Sequence, residues 1–370
     1  MAQFTMAQLG QRIREARERQ GTKQADFAKL VPIDRTALNK IEAGQRKVSA
    51  LELVDIARAA GVRMATFFEE PPLAVIAHRS AQGLDTADSR IDTLLAGLAE
   101  DVEFVQKLLP FMRPAPESPW DPPSTLDDCE TMASKVREVL LLTPQDPLTN
   151  LSGKFAELGL LLFTFPLGID QADAGTLLLS QGGVSLINST AKVGRRRLAA
   201  CHELAHFLTA DDYTIDWRVA AQGGDLESHF DRFARALLLP HDGVATLWDE
   251  VHSVHGTRTA AVILASRYQV DMSTLARRLQ DLEVLDASGA GDVRQVRTTS
   301  ADLIEHDLYP GDELAEVSQP RPYQQAVLAL IREERISRER GLELLGGILS
   351  EDDLPEPALR EEHALWDYVS

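Results

Sequence analysis

Apolar residues recur at helical spacing through residues 8–70, in short segments separated by capping residues and glycines. Asp34 and Ser49 each stand where they could cap the helix that follows. Gly44 is placed to close the third helix. The first segment puts three apolar residues on one face: Leu9, Ile13 and Ala16. The pattern predicts five short helices, the arrangement of a helix-turn-helix domain.

Strand patterns and helix patterns alternate further along the chain. Residues 158–165 form an apolar run that predicts a strand, and residues 175–179 and 184–187 predict a hairpin around a glycine-containing turn. Helical spacing then returns in two segments, and the second of these ends at Pro240. Residues 126–285 are therefore expected to combine helices with a small sheet.

A regular apolar seam lies between these two regions. Its residues are alternately four and three apart: Ile91, Leu95, Leu98, Val102, Val105 and Leu109. This spacing fits a coiled-coil seam of a homodimer, and it fits equally well a helix face that packs within the chain. Residues 110–123 are rich in proline and predict an extended linker.

The C-terminal region carries no catalytic pattern. Residues 286–300 are rich in Gly, Ser, Asp and Thr and predict a loop. Two amphipathic segments follow in an acidic region of unknown role, at residues 323–334 and 338–349. Together the patterns predict four regions, which are a head, a linker with a helix, a central domain and a helical tail: residues 1–70, 71–125, 126–285 and 286–370.

Charge is divided unevenly along the chain. Residues 1–68 carry twelve Lys and Arg against seven Asp and Glu, a net charge of +5, and the other residues carry −24, which together give the whole chain's −19. A basic segment joined to an acidic body is typical of a nucleic-acid-binding module fused to a domain that does not bind nucleic acid. We therefore expect contact with DNA to be confined to the head.

Composition narrows the class of protein further. No apolar run approaches the roughly eighteen residues that a membrane span needs. The N-terminus shows no secretory pattern. Cys129 and Cys201 do not suggest a disulfide framework and suit a reducing compartment. A cytoplasmic protein that does not associate with membranes is expected.

Residues 201–206 read Cys-His-Glu-Leu-Ala-His, which places two histidines four residues apart in a predicted helix. Positions i and i+4 lie on one face of a helix, so His202 and His206 can bind one Zn²⁺ together. Glu203 lies beside the first histidine and can take a proton from water that the metal polarises. The pattern predicts zinc-dependent hydrolysis of an amide bond, with Glu203 as the catalytic base.

The third metal ligand is expected on a later predicted helix, residues 225–240. Glu227 can supply a carboxylate oxygen, and Asp231, one turn later, could hydrogen-bond to one of the histidines from behind the metal. His229 is the alternative third ligand, and Glu227 could instead interact with the N-terminus of its own helix. Tyr213 could assist at the oxyanion, but it could equally be a packing residue.

Three segments together resemble the ImmA/IrrE family of metallopeptidases: Val184–Asn188, Arg196–His206 and Glu227–Pro240. Phe230 stands where that family usually has Ala, and Asp231 where it usually has Asn. The resemblance implies a zincin-like domain of helices with a small antiparallel sheet, so the expected fold class is mainly α in an α+β arrangement. It also implies cleavage of a repressor or antitoxin protein. An edge strand beside such a site can hold an extended peptide by main-chain hydrogen bonds.

The head resembles the XRE/lambda-repressor family in three segments: Gly21–Ala28, Ile41–Gly44 and Leu53–Ala57. Pro32 stands where the turn of that family usually has glycine. Because proline cannot adopt a left-handed conformation, the turn must differ locally. Arg17 and Glu42 are expected to form a structural salt bridge. The resemblance implies binding to a double-stranded DNA operator through base edges and phosphates, by seven residues: Gln24, Arg35, Thr36, Asn39, Lys40, Arg46 and Lys47.

Two functions fit these observations. In the first, the protein is a DNA-binding regulator whose zinc-dependent endopeptidase domain cleaves a repressor or antitoxin. In the second, it is a non-proteolytic XRE-type repressor or antitoxin whose zinc domain is a sensor or docks a partner protein. The fusion of a DNA-binding head to a metal-binding domain supports both, because DNA binding would also bring a peptidase close to a DNA-bound substrate.

Overall fold

A computed structural model describes the chain in nine segments: residues 5–19, 22–60, 64–68, 76–79, 89–113, 119–168, 173–210, 220–309 and 311–356. The chain divides into two compact units. The first comprises Met1–Leu73 and Ala87–Ala96, and the second comprises Ala74–Thr86 and Gly97–Ser370.

The head is helical, as predicted. It contains four α-helices and a short 3₁₀ turn at Met64–Phe67: α1 (Met6–Arg19), α2 (Gln24–Phe27), α3 (Arg35–Glu42) and α4 (Ala50–Ala59). The side chains of Asp34 and Ser49 accept hydrogen bonds from the backbone amides of Ala37 and Glu52, so both predicted caps are confirmed. The core includes apolar side chains from every element: Ile13, Phe27, Leu38, Ile41, Ile56 and Phe67.

Two turns of the head follow from single residues. Gly44 closes α3 with a φ of +69°, and a Cβ there would meet the backbone of Ala7, so glycine is required by both conformation and space. The α2–α3 turn, residues 28–34, contains no residue with positive φ. Pro32 therefore stands in a turn that does not use the left-handed conformation, which is the local difference the sequence predicted.

Eleven further helices lie among the described residues: α5 (Ser89–Leu108), α6 (Leu126–Val139), α7 (Leu151–Glu157), α8 (Val193–Thr209), α9 (Ala220–Leu238), α10 (His241–Tyr268), α11 (Met272–Asp281), α12 (Ala287–Gln295), α13 (Ser300–Glu305), α14 (Arg321–Arg332) and α15 (Arg338–Leu344). The helices α14 and α15 correspond to the two amphipathic segments predicted in the tail. Among the described residues, no helix combines the length and apolar composition that a membrane span requires.

One sheet completes the second unit, with strand order β1-β3-β4-β2. Its strands are β1 (Ile76–Arg79), β2 (Leu160–Phe165), β3 (Ala174–Leu178) and β4 (Gly183–Asn188). The predicted hairpin is confirmed, because β3 and β4 are antiparallel. The α+β fold class is confirmed as well.

The expectation of a wholly antiparallel sheet was wrong. Strand β2 pairs in parallel with β4, so the sheet is mixed. The chain leaves β2, crosses to the far side of β4 to form β3, and returns through the hairpin. The central strand β4 is thus parallel to β2 on one side and antiparallel to β3 on the other. No strand was predicted at residues 76–79, where β1 lies.

The predicted loop at residues 286–300 is largely helical. Asp286 caps α12 by accepting a hydrogen bond from the backbone amide of Gly289, and α13 starts at Ser300. Ala290 and Val293 are buried in the core of the second unit. Packing of these two side chains, together with the cap, outweighs the low helix propensity of a glycine- and serine-rich sequence.

The adjacent basic residues Arg277 and Arg278 lie in different environments. Arg277 is exposed on α11, whereas the Arg278 side chain is fully buried and forms an ion pair with Glu130 of α6. Its Nε also donates to the carbonyl of Leu239. Buried guanidinium groups need such partners, and the sequence could not reveal them because Glu130 lies 148 residues away.

The apolar seam of α5 is used within a single chain. Ile91, Leu95, Val102 and Val105 are fully buried. The alternative of packing within the chain therefore describes these four residues, and the homodimer stays a prediction.

The C-terminal end of the predicted proline-rich linker packs against helices of the second unit. Residues 119–123 form neither helix nor strand, and the backbone amide of Trp120 donates to the carbonyl of Leu208 at 2.9 Å. Lys135 Nζ lies 4.0 Å from the centroid of the Trp120 ring. This part of the linker is therefore held against the ends of α8 and α6.

Candidate functional site

Helix α8 carries the His-Glu-x-x-His motif through the core of the second unit. His202, Glu203 and His206 are 2%, 0% and 5% exposed. Small residues let neighbouring elements approach the helix closely, and all of them are buried: Ala199, Ala200, Cys201 and Ala205. The helix ends at Ala210, which adopts a left-handed conformation just after the motif. The motif is thus fixed by packing on all sides rather than displayed on a surface.

The two histidines meet Glu227, which comes from α9. His202 Nε2 lies 3.2 Å from His206 Nε2 and 3.1 Å from a carboxylate oxygen of Glu227, and His206 Nε2 lies 3.6 Å from the other oxygen. Three ligands bound tetrahedrally to zinc at about 2.0–2.1 Å would lie about 3.3 Å apart. Among the described residues, this is the group of His, Cys, Asp and Glu side chains that could hold a metal ion. The donor set therefore fits zinc.

Asp231 orients the first histidine. Its Oδ1 accepts a hydrogen bond from His202 Nδ1 at 2.9 Å. Because a carboxylate can only accept, the proton of His202 lies on Nδ1, and the lone pair of Nε2 points towards His206 and Glu227. The edge of the Phe230 ring packs against His206, with centroids 4.7 Å apart. Phe230 and Asp231, the two residues that depart from the ImmA/IrrE pattern, thus both contact the histidines.

Among the three converging residues, Glu227 is the one that is partly open to solvent. Burial raises the pKa of its carboxyl, but the two histidines beside it outweigh burial and bring the pKa below its ordinary value. Glu227 is therefore ionised and available as a ligand at neutral pH.

His229 does not join this group. It lies between Glu227 and Asp231 in sequence, and those two residues are four apart and share one face of α9. A residue two positions along a helix points to another side. The backbone carbonyl of His229 accepts a hydrogen bond from Cys129 Sγ at 3.4 Å. Of the two candidate third ligands, the structure brings Glu227 to the histidines.

Glu203 is held by one side chain that the sequence analysis missed. Thr176 of β3 donates its hydroxyl hydrogen to Glu203 Oε2 at 2.7 Å, and Ser185 of β4 hydrogen-bonds to the same hydroxyl. The other oxygen, Oε1, is buried and has no hydrogen-bond partner among the described residues. A buried carboxylate oxygen without a donor is costly, so this oxygen is placed to accept a hydrogen bond from a group outside the described residues. A polar threonine inside an apolar strand was the sequence signal for this contact.

The N-terminal half of α8 is tied to the C-terminal region. Arg197 is 1% exposed in its side chain and forms an ion pair with Glu313, whose other oxygen accepts from the backbone amide of Leu151. Arg196 pairs with Asp312 at 2.7 Å. The region after residue 285, to which the sequence assigned no role, therefore helps to position the helix that carries the motif.

The predicted DNA-contacting residues form a second candidate surface. Arg35, Thr36, Asn39 and Lys40 of α3 are all exposed, and so is Lys47 after it. The predicted salt bridge between Arg17 and Glu42 is confirmed, with N···O distances of 2.7 and 3.0 Å. It lies beneath this surface rather than on it.

Gln24 and Arg46 are partly engaged within the head. Gln24 Nε2 donates to Glu42 at 2.9 Å, and Arg46 pairs with Glu52 at 2.7 Å. Both side chains keep some exposure, so neither is removed from the candidate surface. Tyr213, the candidate for assistance at the oxyanion, lies outside the described residues.

Comparison with known families identifies both parts of the chain. Residues 13–67 match a helix-turn-helix family, and residues 157–280 match the IrrE N-terminal-like domain of the M78 peptidases. A search of curated proteins found no match to the chain. The protein therefore joins a helix-turn-helix domain to a peptidase-like domain, as the two resemblances predicted.

Proposed function

We propose that the protein is a DNA-binding regulator with a zinc-dependent endopeptidase domain, and that this domain cleaves a repressor or antitoxin protein. The observation that carries the proposal is the convergence of His202, His206 and Glu227 beside a buried Glu203 oxygen without a partner. Regulators that only bind DNA need no such arrangement. The match to a peptidase family supports the same chemistry.

Each site residue has a role that its contacts support. His202, His206 and Glu227 would hold Zn²⁺, which would polarise the substrate carbonyl and lower the pKa of water. Glu203 Oε1 would accept the proton of the attacking water and later give it to the leaving amine. Thr176 would keep Glu203 in position through the other oxygen, and Asp231 would do the same for His202.

The head would bind DNA and so determine where the protein acts. Exposed polar and basic side chains on α3 suit base edges and phosphates in the major groove. The domains are covalently linked, so DNA binding would raise the local concentration of the peptidase near a DNA-bound protein substrate. The operator is expected to be double-stranded DNA.

A Glu203→Gln variant tests the catalytic assignment. Gln has the same size, and its carbonyl oxygen can still accept from Thr176, but it cannot take a proton. We expect zinc content to stay at one equivalent and cleavage to fall by about 10²–10⁴-fold. Zinc would be measured by plasma mass spectrometry. Cleavage would be measured as new N-termini in a proteome-derived peptide library and in any co-encoded repressor.

Two outcomes would contradict different parts of this proposal. Cleavage that persists in Glu203→Gln would refute Glu203 as the base. Wild-type protein that binds zinc and DNA but generates no new termini would favour the alternative in which the zinc domain is a sensor or docks a partner. His202→Ala, which removes a ligand, serves as the metal-free control.

A further inference from the structure

The sheet of the second unit ends in a strand from outside the matched peptidase region. Strand β1, Ile76–Arg79, pairs antiparallel with β3, and residues 157–280 contain the other three strands. Without β1, strand β3 would present a row of backbone donors and acceptors at the edge of the sheet. A segment between the helix-turn-helix domain and the peptidase domain therefore supplies the outermost strand.

The pairing of β1 with β3 lies next to Glu203, the proposed catalytic base. Ala77 stands opposite Thr176, and Thr176 donates to Glu203. Helix α8, which carries Glu203 and the two histidines, packs against both β3 and β1. The backbone of β1 therefore runs alongside the residues assigned above to catalysis.

The hydrogen-bonding pattern of β3 leaves half of its amides for this outer strand. The backbone amide of Asn188 donates to Asp173, and that of Leu179 to Gly182, which fixes the register of β3 with β4. Because successive amides of a strand point to opposite sides, those of Ala174 and Thr176 point away from β4. These are the groups with which an added extended peptide would pair.

We propose that β1 occupies the strand position that an extended polypeptide substrate takes on β3, so that the chain's own linker competes with substrate for the peptidase site. The idea of a substrate position rests on the proposed endopeptidase function. A covalently attached segment competes at an effective concentration of about millimolar. A protein substrate must therefore displace β1, and any event that draws the linker away would open the site.

An Ala77→Pro variant tests the pairing directly. Proline removes the amide that faces Thr176 and does not fit within a paired strand. Ala77→Ser keeps the amide with a small side chain and is the matched control. In the full-length protein, we expect hydrogen exchange at the Ala174 and Thr176 amides to become at least tenfold faster in Ala77→Pro and to stay unchanged in Ala77→Ser. The Ile187 amide, which faces β2, should remain protected and reports that the sheet is folded.

A labelled peptide tests whether the vacated position takes an extended segment. The probe is a fluorescein-labelled synthetic peptide with the sequence of residues 74–81, followed by fluorescence anisotropy. We expect it to bind Ala77→Pro at least tenfold more tightly than it binds wild type or Ala77→Ser, because the intact strand blocks it in those two proteins.

The two readouts do not depend on zinc or on cleavage. Exchange at Thr176 that is equally fast in all three proteins would overturn the proposal, and so would equal peptide binding. If both differences are found and no variant cleaves any peptide, the pairing stands and the proposed peptidase function fails. The two ideas are therefore separable in one set of proteins.

Discussion

The head carries its candidate functional residues on its surface, whereas the peptidase-like domain carries them in its core. On α3 of the head, Arg35, Thr36, Asn39 and Lys40 are exposed, and the buried ion pair Arg17–Glu42 lies beneath them. In the peptidase domain, His202, Glu203 and His206 are themselves part of the core. Substitution of these exposed residues of the head should therefore change stability little. Substitution of buried residues around α8 should affect folding and function together.

The largest effect on stability is expected from Glu313→Ala. This change leaves the buried guanidinium of Arg197 without its carboxylate and removes the acceptor of the Leu151 amide. Breaking a buried ion pair on one side should lower the free energy of unfolding by about 3 kcal/mol. Urea unfolding followed by circular dichroism would measure it.

Asp312→Ala is the matched control for this prediction. Asp312 is the preceding residue and pairs with the preceding arginine, but its carboxylate is 79% exposed. An exposed pair contributes less than about 1 kcal/mol. Equal losses of unfolding free energy in the two variants would show that burial of the Arg197–Glu313 pair is not the source of its contribution to stability.

A smaller effect, on metal affinity, is expected from Asp231→Ala. Without the acceptor at Nδ1, His202 loses its orientation and some basicity, so zinc affinity should fall about 10–100-fold. Competition with a chromophoric chelator would measure the affinity. Asp231→Asn, which introduces the residue usual in the ImmA/IrrE family, keeps an acceptor oxygen and should lose less.

The control for Asp231 is Asp242→Ala. Asp242 hydrogen-bonds to His241 in a similar pair, but both side chains are exposed and neither belongs to the metal-binding group. Its zinc affinity should equal that of wild type. Unchanged affinity in Asp231→Ala would contradict the assigned contact behind the metal.

The smallest effect on the fold is expected in the head, from Lys47→Ala. Loss of one phosphate contact should reduce the salt dependence of binding to a random-sequence duplex by about 0.9 in the slope of log K against log salt. Stability should change by less than about 0.5 kcal/mol, because Lys47 is exposed. Fluorescence anisotropy at several salt concentrations would measure the slope.

Arg58→Ala provides the comparison for Lys47. Arg58 is an exposed basic residue on α4, paired with Asp55 and outside the predicted DNA surface. It should leave the slope unchanged. Equal slopes for both variants would mean that net charge alone, and not the predicted surface, governs DNA binding.

Local spacing predicted the features that lie within one element or on two neighbouring helices. The i, i+4 spacing of His202 with His206, and of Glu227 with Asp231, predicted which of these side chains share a face, because helix geometry alone decides it. In the head, Asp34, Ser49 and Gly44 predicted helix boundaries, because capping residues act on the helix next to them in sequence.

Contacts between distant segments could not be predicted. Glu313 lies 116 residues from Arg197, and β1 lies about a hundred residues before its partner β3. A four-residue strand has too little pattern to distinguish it from a loop, and its pairing is decided by the strand it meets. The roles of Thr176 and Arg278 likewise depend on partners that no local pattern indicates.

The three strands β2, β3 and β4 have both of their outer borders paired with segments that lie outside residues 157–280. Strand β1 pairs with one border, and on the other Ser318 forms an antiparallel bridge with Thr164 of β2. Unpaired strand borders invite association between molecules and aggregation. A fragment cut to residues 157–280 would leave both of these borders unpaired, so it should aggregate more readily than the full chain.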